Sequence, residues 1–390
     1  MDFDYIDQSD ALARLCERLA GSDWVALDTE FIREKSYYPK LCLIQIGTPD
    51  WVSCIDPLSV DIGPLLDALY RDELTLVLHA ARQDLEIFYH LRGRLPGSLF
   101  DTQLAAPLLG LPEQMGYGNF IKARLNIELA KGHARTDWAA RPLSDEQLRY
   151  AADDVRYLAQ AYEPLREELQ ARGRLEWLQA DLARLGDPAL YDIQPQDAWR
   201  RLKGAAKLRG PALSVLQSLA AWRESQAKRL DRPRKWILQD DALFALARLK
   251  LCSVADMQRV RGLPAPLLEK HGAELLQLIA EARTRPPQPL PEFVRPGELS
   301  TAQEGAVDVL MGVLRILAAD ADLHVSVLAS RKDLERLVRG ERELALLSGW
   351  RRSFAGETLL QVLSGERGLQ LREGHLQLLN SAADAVTDAQ

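Results

Sequence analysis

Four acidic residues and one tyrosine lie in three separate stretches of the chain, at spacings that suit a metal-binding cage: Asp28, Glu30, Asp84, Tyr150 and Asp154. Asp28 and Glu30 end an apolar run with one residue between them, so on a strand both carboxylates point to the same face. Tyr150 and Asp154 are four residues apart and share one face of a helix. Carboxylates are preferred ligands of Mg²⁺ and Mn²⁺, and two such ions about 3.5–4 Å apart catalyse phosphoryl transfer. The spacing therefore predicts metal-dependent phosphodiester hydrolysis, with Tyr150 orienting the attacking water.

The stretches that carry these residues alternate between short apolar runs and helical patterns. Three apolar runs with short polar links predict a meander of three strands, and later runs that follow helices predict a mixed sheet. The predicted strands are 24–29, 41–46, 51–55, 74–78 and 98–100, and the predicted helices are 9–20, 62–70 and 81–91. Asp84 would then lie in the first helical turn beyond a strand end. Ser144 and Gln147 form a capping box that starts the helix carrying Tyr150.

Beyond residue 190 the strand signal disappears, and helical patterns separated by proline-containing linkers follow. The linker that starts at residue 283 has five prolines in sixteen residues. We therefore expect three domains: an α/β domain over 1–190, a helical domain over 200–285 and a second helical domain over 299–380. Both helical segments show a long helix, a polar break and an Asp that opens another helix, which indicates a diverged duplication.

Charge is distributed unevenly along the chain. The net charge is −13 over residues 1–198, +10 over 199–285 and −4 over 286–390, although the whole chain carries only −7. The basic middle segment predicts a surface that binds nucleic acid; an evenly solvated basic surface is the alternative. The candidate RNA-binding residues are Gln45, Arg223, Lys228, Arg229, Arg232, Arg234 and Lys235. The acidic third segment is instead a candidate for packing against the first domain or closing a ring around the substrate path.

Bulk composition is typical of a globular protein, with 47% hydrophobic and 27% charged residues. No apolar stretch is long enough to span a bilayer, and the acidic first residues differ from a signal peptide, so a cytoplasmic protein, acting as a monomer without a membrane partner, is expected. Cys16, Cys42, Cys54 and Cys252 contain no C-x-x-C pair and predict free thiols rather than a zinc site.

Several motifs in order resemble the ribonuclease D family, bacterial 3′→5′ exonucleases of the DEDD superfamily. The matching stretches are DTEF at 28–31, CLIQI at 42–46, HAARQDLEIF at 79–88, FDTQLAA at 100–106 and TDWAARPLSDEQLRYAADDVRYL at 136–158. The resemblance implies an α/β, RNase H-like exonuclease domain with a mixed sheet, followed by two all-α HRDC domains. The third motif has Tyr-x-x-x-Asp and no histidine between residues 143 and 165, so it resembles the tyrosine subtype.

The family's residue roles carry over to the matching positions. Asp28 would bridge two divalent ions, Mg²⁺ or Mn²⁺; Glu30 and Asp154 would complete one metal shell. Asp84 would hold the second ion mainly through water, and Tyr150 would position the nucleophile. The implied activity is a 3′→5′ exoribonuclease that trims structured RNA, most of all tRNA precursors, and releases nucleoside 5′-monophosphates.

Neighbouring polar residues allow other assignments. Asp153 adjoins Asp154, but its side chain would point about 100° away around the helix. Asp101 is either a fifth acid or a helix N-cap. His79 either touches a phosphate or makes a structural hydrogen bond. Gln45, the one polar residue in LCLIQI, either bonds near the substrate or makes a structural bond.

Trp138 and Arg141, in the loop before the third motif, would contact the terminal nucleotide or pack in the protein. Two other functions also remain open from the residues alone. A DNA exonuclease would use the same acids and differ only in how it treats a 2′-hydroxyl. A nucleic-acid-binding scaffold is the other, although the intact set of five residues argues against a dead nuclease, and no phosphate-binding G-x-x-x-x-G-K-[ST] loop occurs.

Overall fold

The computed structural model describes residues 2–130, 136–249, 253–289 and 298–379. The prediction for Cys252 and half of the predicted proline-rich linker, residues 290–297, lie outside these ranges. Cys16, Cys42 and Cys54 are free thiols, as predicted. No described helix has both the length and the apolar character needed to cross a bilayer.

Six described strands form one mixed sheet. They are β1 (Asp4–Ile6), β2 (Trp24–Ile32), β3 (Lys40–Gly47), β4 (Val52–Ile55), β5 (Thr75–Leu78) and β6 (Ser98–Asp101), in the order β1-β4-β3-β2-β5-β6. The antiparallel meander β2-β3-β4 confirms the prediction, and β5 and β6 continue the sheet parallel to β2. The sequence reading missed β1, which is only three residues long and too polar to give a strand signal.

Helices cover both faces of this sheet. They are α1 (Ser9–Ala20), α2 (Gly63–Leu69), α3 (Arg82–Arg92), α4 (Thr102–Ala105), α5 (Tyr117–Leu125), α6 (Asp145–Ala171) and α7 (Gln179–Leu185). Val25, Leu27 and Ile44 belong to the core that α1, α2 and α3 complete on one face. Ala26 and Cys54 belong to the core that α6 completes on the other face. Because strand side chains alternate, every second residue of β2 after Ala26 points toward α6.

Helix α6 begins where the sequence predicts. Ser144 Oγ accepts a hydrogen bond from the Gln147 backbone amide at 3.2 Å, and the Gln147 side chain accepts one from the Ser144 amide at 2.7 Å. This capping box fixes the first turn of the helix, so the positions of Tyr150 and Asp154 relative to the sheet follow from the cap and from the buried apolar face of α6.

The first helical module contains α8 (Gly210–Leu230), α9 (Arg234–Ile237), α10 (Asp240–Arg248), α11 (Val254–Met257) and α12 (Ala265–Thr284). It is joined to the α/β domain by what we call the Glu224 cluster, formed by Glu224, Arg234 and Tyr37. The Tyr37 hydroxyl donates to Glu224 at 2.5 Å, and Arg234 donates to both Glu224 oxygens and to the Tyr37 hydroxyl. Asp231 also accepts from the backbone amide of Tyr37 at 2.9 Å.

The last module is helical except at its end. It contains α13 (Thr301–Asp320), α14 (Arg331–Val338), α15 (Gly349–Arg351), a π-helical turn at Arg352–Gly356 and α16 (Glu357–Ser364). The expectation of an all-α segment is wrong for β7 (Leu369–Arg372) and β8 (His375–Leu378), which pair as a hairpin. Glu373 and Gly374 both have positive φ, at 51° and 81°, which suits a two-residue hairpin turn.

This last module packs against the α/β domain, one of the two arrangements that its acidic balance suggested. The rings of Trp177 and Trp350 stack with centroids 4.1 Å apart and planes 6° apart. Arg351 forms an ion pair with Asp181 at 2.9 Å. A near-parallel tryptophan pair beside an ion pair buries apolar area and fixes the orientation of the module.

Candidate active site

All five predicted site residues line one open pocket of about 1100 Å³, which we call the acidic pocket. It lies where β2 extends past β5: β2 pairs with β5 only from Trp24 to Ala26, and the segment from His79 to Asp84 covers the rest of that side. Asp28 and Glu30 lie on the part of β2 that has left its parallel neighbour. The carboxyl end of a parallel strand beside a helix N-terminus is a common position for a binding site.

Three of the four predicted ligands converge. Asp28, Glu30 and Asp154 each offer a carboxylate oxygen, and these oxygens lie within 4.8 Å of one another; we call this set the acid cluster. Asp84 lies outside the set, although it lines the same pocket. Its Oδ1 accepts a hydrogen bond from Thr29 Oγ1 at 2.5 Å. This bond ties Asp84, in the first turn of α3, to the residue that lies between Asp28 and Glu30 on β2.

Burial and mutual repulsion make these carboxyl groups hard to ionise. Burial, with the charges of Asp154 and Asp84, raises the pKa of Glu30 to about 8. Burial raises the pKa of Asp84 to about 7 and, with a smaller contribution from Asp153, that of Asp154 to about 7. Burial and the three other carboxylates raise the pKa of Asp28 well above its ordinary value. The fold itself therefore supplies no positive charge that would favour the ionised form of these groups.

The protein's own cations near the pocket are engaged elsewhere. Among the described residues that line it, Arg33 forms an ion pair with Glu86 at 2.9 Å, and Lys122 forms one with Glu128. A divalent cation is the group that this donor set fits, because hard carboxylate oxygens bind Mg²⁺ and Mn²⁺ and the cation offsets their repulsion. The chemistry of the site is thus compatible with the binding of a divalent metal ion.

Tyr150 and Trp138 form part of the pocket wall. Burial and the negative charges of Asp154, Glu30 and Asp28 raise the pKa of Tyr150, so its phenol stays protonated and can donate a hydrogen bond at neutral pH. Trp138 is 2% exposed, and its ring centroid lies 6.3 Å from that of Tyr150. The indole therefore packs in the protein, although the residue also lines the pocket.

The structure decides between the alternatives for three neighbouring residues. Asp153 forms an ion pair with Arg156 at 2.9 Å and does not join the acid cluster. Asp101 caps α4 by accepting from the Gln103 amide at 2.7 Å, and it also accepts from the amides that precede α3. His79 bonds through its two ring nitrogens to Thr102 Oγ1 and to the Met115 carbonyl, so its role is structural.

Arg141 is an anchor rather than a nucleotide contact. Its guanidinium donates to both oxygens of Asp56 at 2.6 and 2.7 Å and to the backbone carbonyls of Cys42 and Trp138. These bonds hold the loop that carries Trp138 against the sheet. Burial alone would raise the pKa of Asp56. Its hydrogen bonds, chiefly the one that Arg141 donates, lower this pKa to about 2. No local pattern in the chain predicts this pair, because its partners are 85 positions apart.

The candidate RNA-binding residues of the basic module divide into two groups. Arg223 is 5% exposed and pairs with Asp240, Lys228 pairs with Asp192, and Arg234 belongs to the Glu224 cluster. These three are largely engaged in holding the module together or in place. Arg229, Arg232 and Lys235 are exposed.

Gln45 does not contact the acidic pocket. It lies opposite Asp28 in the β2–β3 ladder, but its side chain is fully buried and its amide makes no hydrogen bond with the described residues. No finding tests the predicted contact with RNA, so it stays a prediction.

Comparisons with known proteins agree with this architecture. A family model described as 3′-5′ exonuclease matches residues 3–170, and one described as HRDC domain matches residues 212–279. The HRDC match covers the first helical module. The prediction of a second HRDC domain is not confirmed.

Relatives match over nearly the whole chain. Ribonuclease D of Sphingobium indicum is 39% identical over 382 residues, which cover 96% of this chain and 97% of the relative. Ribonuclease D of Zymomonas mobilis is 38% identical over 380 residues, with 96% and 97% covered. The crystal structure of Escherichia coli RNase D, an exoribonuclease involved in structured RNA processing, has a TM-score of 0.77 and 33% identity and covers 94% of this chain and 99% of its own.

Proposed function

Because the chain belongs to the ribonuclease D family and is a 3′-5′ exoribonuclease, we propose that it trims the 3′ ends of structured RNA, tRNA precursors in particular, by metal-dependent hydrolysis. The observation that carries this proposal is the acid cluster. Its three carboxylates converge in an open pocket, and no described lysine or arginine pairs with them.

We assign metal binding to the four acidic residues. Asp28, Glu30 and Asp154 would hold one cation, and Asp84, beyond Thr29, would contribute to a second. Mg²⁺ or Mn²⁺ suits this all-oxygen set. When bound, such cations lower the pKa of water and stabilise negative charge on a leaving oxygen.

The chain's other residues would orient the reactants. Tyr150, protonated at neutral pH, would donate a hydrogen bond to the attacking water and hold it in line with the terminal phosphodiester. Attack forms a bond from the water oxygen to phosphorus and breaks the bond from phosphorus to the 3′ oxygen of the penultimate nucleotide. The products are a nucleoside 5′-monophosphate and an RNA shortened by one nucleotide. Trp138, held by the loop that Arg141 anchors, would limit access of bulk water.

The partner would be RNA, and the basic first helical module supports this choice through its charge of +10 over residues 199–285. We further propose that the protein acts as a cytoplasmic monomer. The exonuclease domain (1–190) would supply the chemistry and the module at 200–285 would supply affinity. The module at 299–380, which lacks this excess of positive charge, would position the α/β domain rather than bind RNA.

One assay tests the proposed function directly. A 3′-extended tRNA is incubated with the protein and Mg²⁺, and product lengths and released nucleotides are analysed over time. We expect products that shorten one nucleotide at a time from the 3′ end, with nucleoside 5′-monophosphates, and no products in EDTA. Full activity in EDTA, or equal rates on a matched DNA oligonucleotide, would contradict the proposal.

A further inference from the structure

A second groove, of about 820 Å³, opens beside the acidic pocket and runs along the junction between the α/β domain and the first helical module. The two adjoin, because Arg33, Glu34 and Gln83 line both. We call this second site the basic groove. A chain whose end lies in the acidic pocket can therefore continue into the groove without leaving the protein surface.

The charges of the two sites are opposite. The described residues that line the basic groove include six arginines and lysines and three acids. Two of those acids, Glu86 and Asp240, are in ion pairs with Arg33 and with Arg223. The acidic pocket has the reverse balance. Electrostatic repulsion therefore opposes the entry of an RNA end until cations bind. The groove supplies positive charge just beside that pocket.

Two of the groove's arginines are available for a ligand. Arg82, in the first turn of α3, and Arg201 both have exposed side chains. Neither makes a hydrogen bond or an ion pair with the described residues. This distinguishes them from Arg223 and Arg234, which lie in the same groove but bind carboxylates of the protein. Two such guanidinium groups, without a partner among the described residues and lining one groove, suit phosphate oxygens.

An exposed tryptophan completes the site. Trp236, in the short helix α9, is 57% exposed and lines the basic groove, and its ring stacks on no aromatic residue of the described chain. A large apolar ring exposed to solvent at the edge of a charged groove is stabilised when a flat partner stacks on it. Nucleic-acid bases provide such a partner irrespective of sequence.

We propose that the basic groove binds the single-stranded RNA segment immediately upstream of the nucleotides in the acidic pocket. Arg82 and Arg201 bind its phosphates, and one base stacks on Trp236. This inference rests on the proposed function, since it takes the acidic pocket as the place of cleavage. It makes the length of unpaired tail a determinant of the rate: a tail too short to reach Trp236 is trimmed slowly, so digestion slows before the paired region of a structured RNA.

The test compares two substrates for each protein. One is a ribodinucleotide, which fills only the acidic pocket, and the other is an unstructured RNA of about 12 nucleotides, within the range of single-strand sites. The measured quantity is the ratio of kcat/KM for the long substrate to kcat/KM for the dinucleotide. We expect Trp236→Ala to lower this ratio roughly tenfold, Trp236→Tyr to restore most of it, and Arg82→Glu with Arg201→Glu to lower it further.

Arg261→Glu is the matched control, because Arg261 is exposed in the same module and lies outside the groove. It changes the net charge of the module as Arg201→Glu does, and the ratio is expected to stay near the wild-type value. An equal fall in the ratio for Arg261→Glu would show a general charge effect and overturn the groove. An unchanged ratio in the Trp236 and double arginine variants would overturn it as well. Failure of the wild-type protein to cleave either substrate would instead reject the proposed function.

Discussion

The acid cluster and the Glu224 cluster use the same kinds of side chain in opposite ways. Each places carboxylates in a poorly solvated position beside a tyrosine. Glu224 has Arg234 as a built-in cation, and although burial alone would raise its pKa, the hydrogen bonds from Arg234 and Tyr37 lower it below the ordinary value. Glu30 has no such partner, and its pKa rises to about 8. A buried carboxylate that is paired with a cation of the protein has a structural role, whereas a buried carboxylate without such a partner is suited to bind a cation from solution.

Removing one member of the acid cluster should have the largest effect. We expect Asp154→Asn to raise the activation free energy on RNA by several kcal/mol, because the metal site loses a ligand. This corresponds to a fall in kcat of roughly 10³-fold or more. RNA binding should largely remain, since affinity is spread over the basic module. Single-turnover assays and filter binding measure the two effects. Asp153→Asn is the matched control and should stay near wild-type activity; equal losses in both variants would refute the assignment of Asp154. Asp28→Asn should resemble Asp154→Asn.

Breaking the Glu224 cluster should affect stability instead. Arg234→Met leaves the charge of Glu224 buried and unpaired, and we expect it to reduce the free energy of unfolding of this module by about 3 kcal/mol. Urea denaturation followed by tryptophan fluorescence measures the change. Adding Glu224→Gln to the same chain should recover part of the loss, because the buried charge is then absent. If Arg234→Met is no more harmful than Arg229→Met, a change at an exposed site, the ion pair is not what stabilises the junction.

The two tyrosines offer a direct contrast between the clusters. We expect Tyr150→Phe to cost about 1–3 kcal/mol in transition-state stabilisation, roughly 5- to 150-fold in kcat, with stability kept. Tyr37→Phe removes the hydrogen bond to Glu224, so we expect it to lower the free energy of unfolding by about 1 kcal/mol and to leave kcat close to wild type. Steady-state kinetics and denaturation of both variants test whether Tyr150 acts in catalysis and Tyr37 in stability. The reverse pattern would contradict the division of roles.

The smallest expected effect is the pH dependence of stability without metal. The folded protein holds protons on Glu30, Asp84 and Asp154 up to pKa values of about 7 to 8, whereas the unfolded chain releases them near their ordinary values of 3.8 to 4.5. Between those limits the folded state binds more protons, so its stability falls as pH rises. We therefore expect Mg²⁺ to raise Tm by more at about pH 8 than at about pH 6, since the cation replaces the protons. Differential scanning calorimetry in EDTA and in Mg²⁺ measures Tm at both pH values. Asp154→Asn should reduce the difference between the two Mg²⁺ effects. A larger rise in Tm with Mg²⁺ at the lower pH would contradict this prediction.

The sequence by itself determined the local features. Helix α1 begins and ends at the predicted residues, the capping box of α6 forms as its residues predict, and the alternation of strand side chains brings Asp28 and Glu30 to one face. These features depend on residues a few positions apart, so the pattern of the chain contains them. The hairpin β7–β8 also had a local signal in its Glu-Gly turn between alternating leucines, which the helical reading overlooked.

Only the tertiary structure decided which charged groups find partners. Arg141 binds Asp56, Asp84 binds Thr29, and Arg234 binds Glu224 and Tyr37, while Arg82 and Arg201 stay exposed. The amino-acid composition does not distinguish the paired arginines from the exposed ones. Whether a charge is neutralised depends on packing between segments far apart in the chain, and that packing separates the residues that hold the fold together from those left to bind metal or RNA.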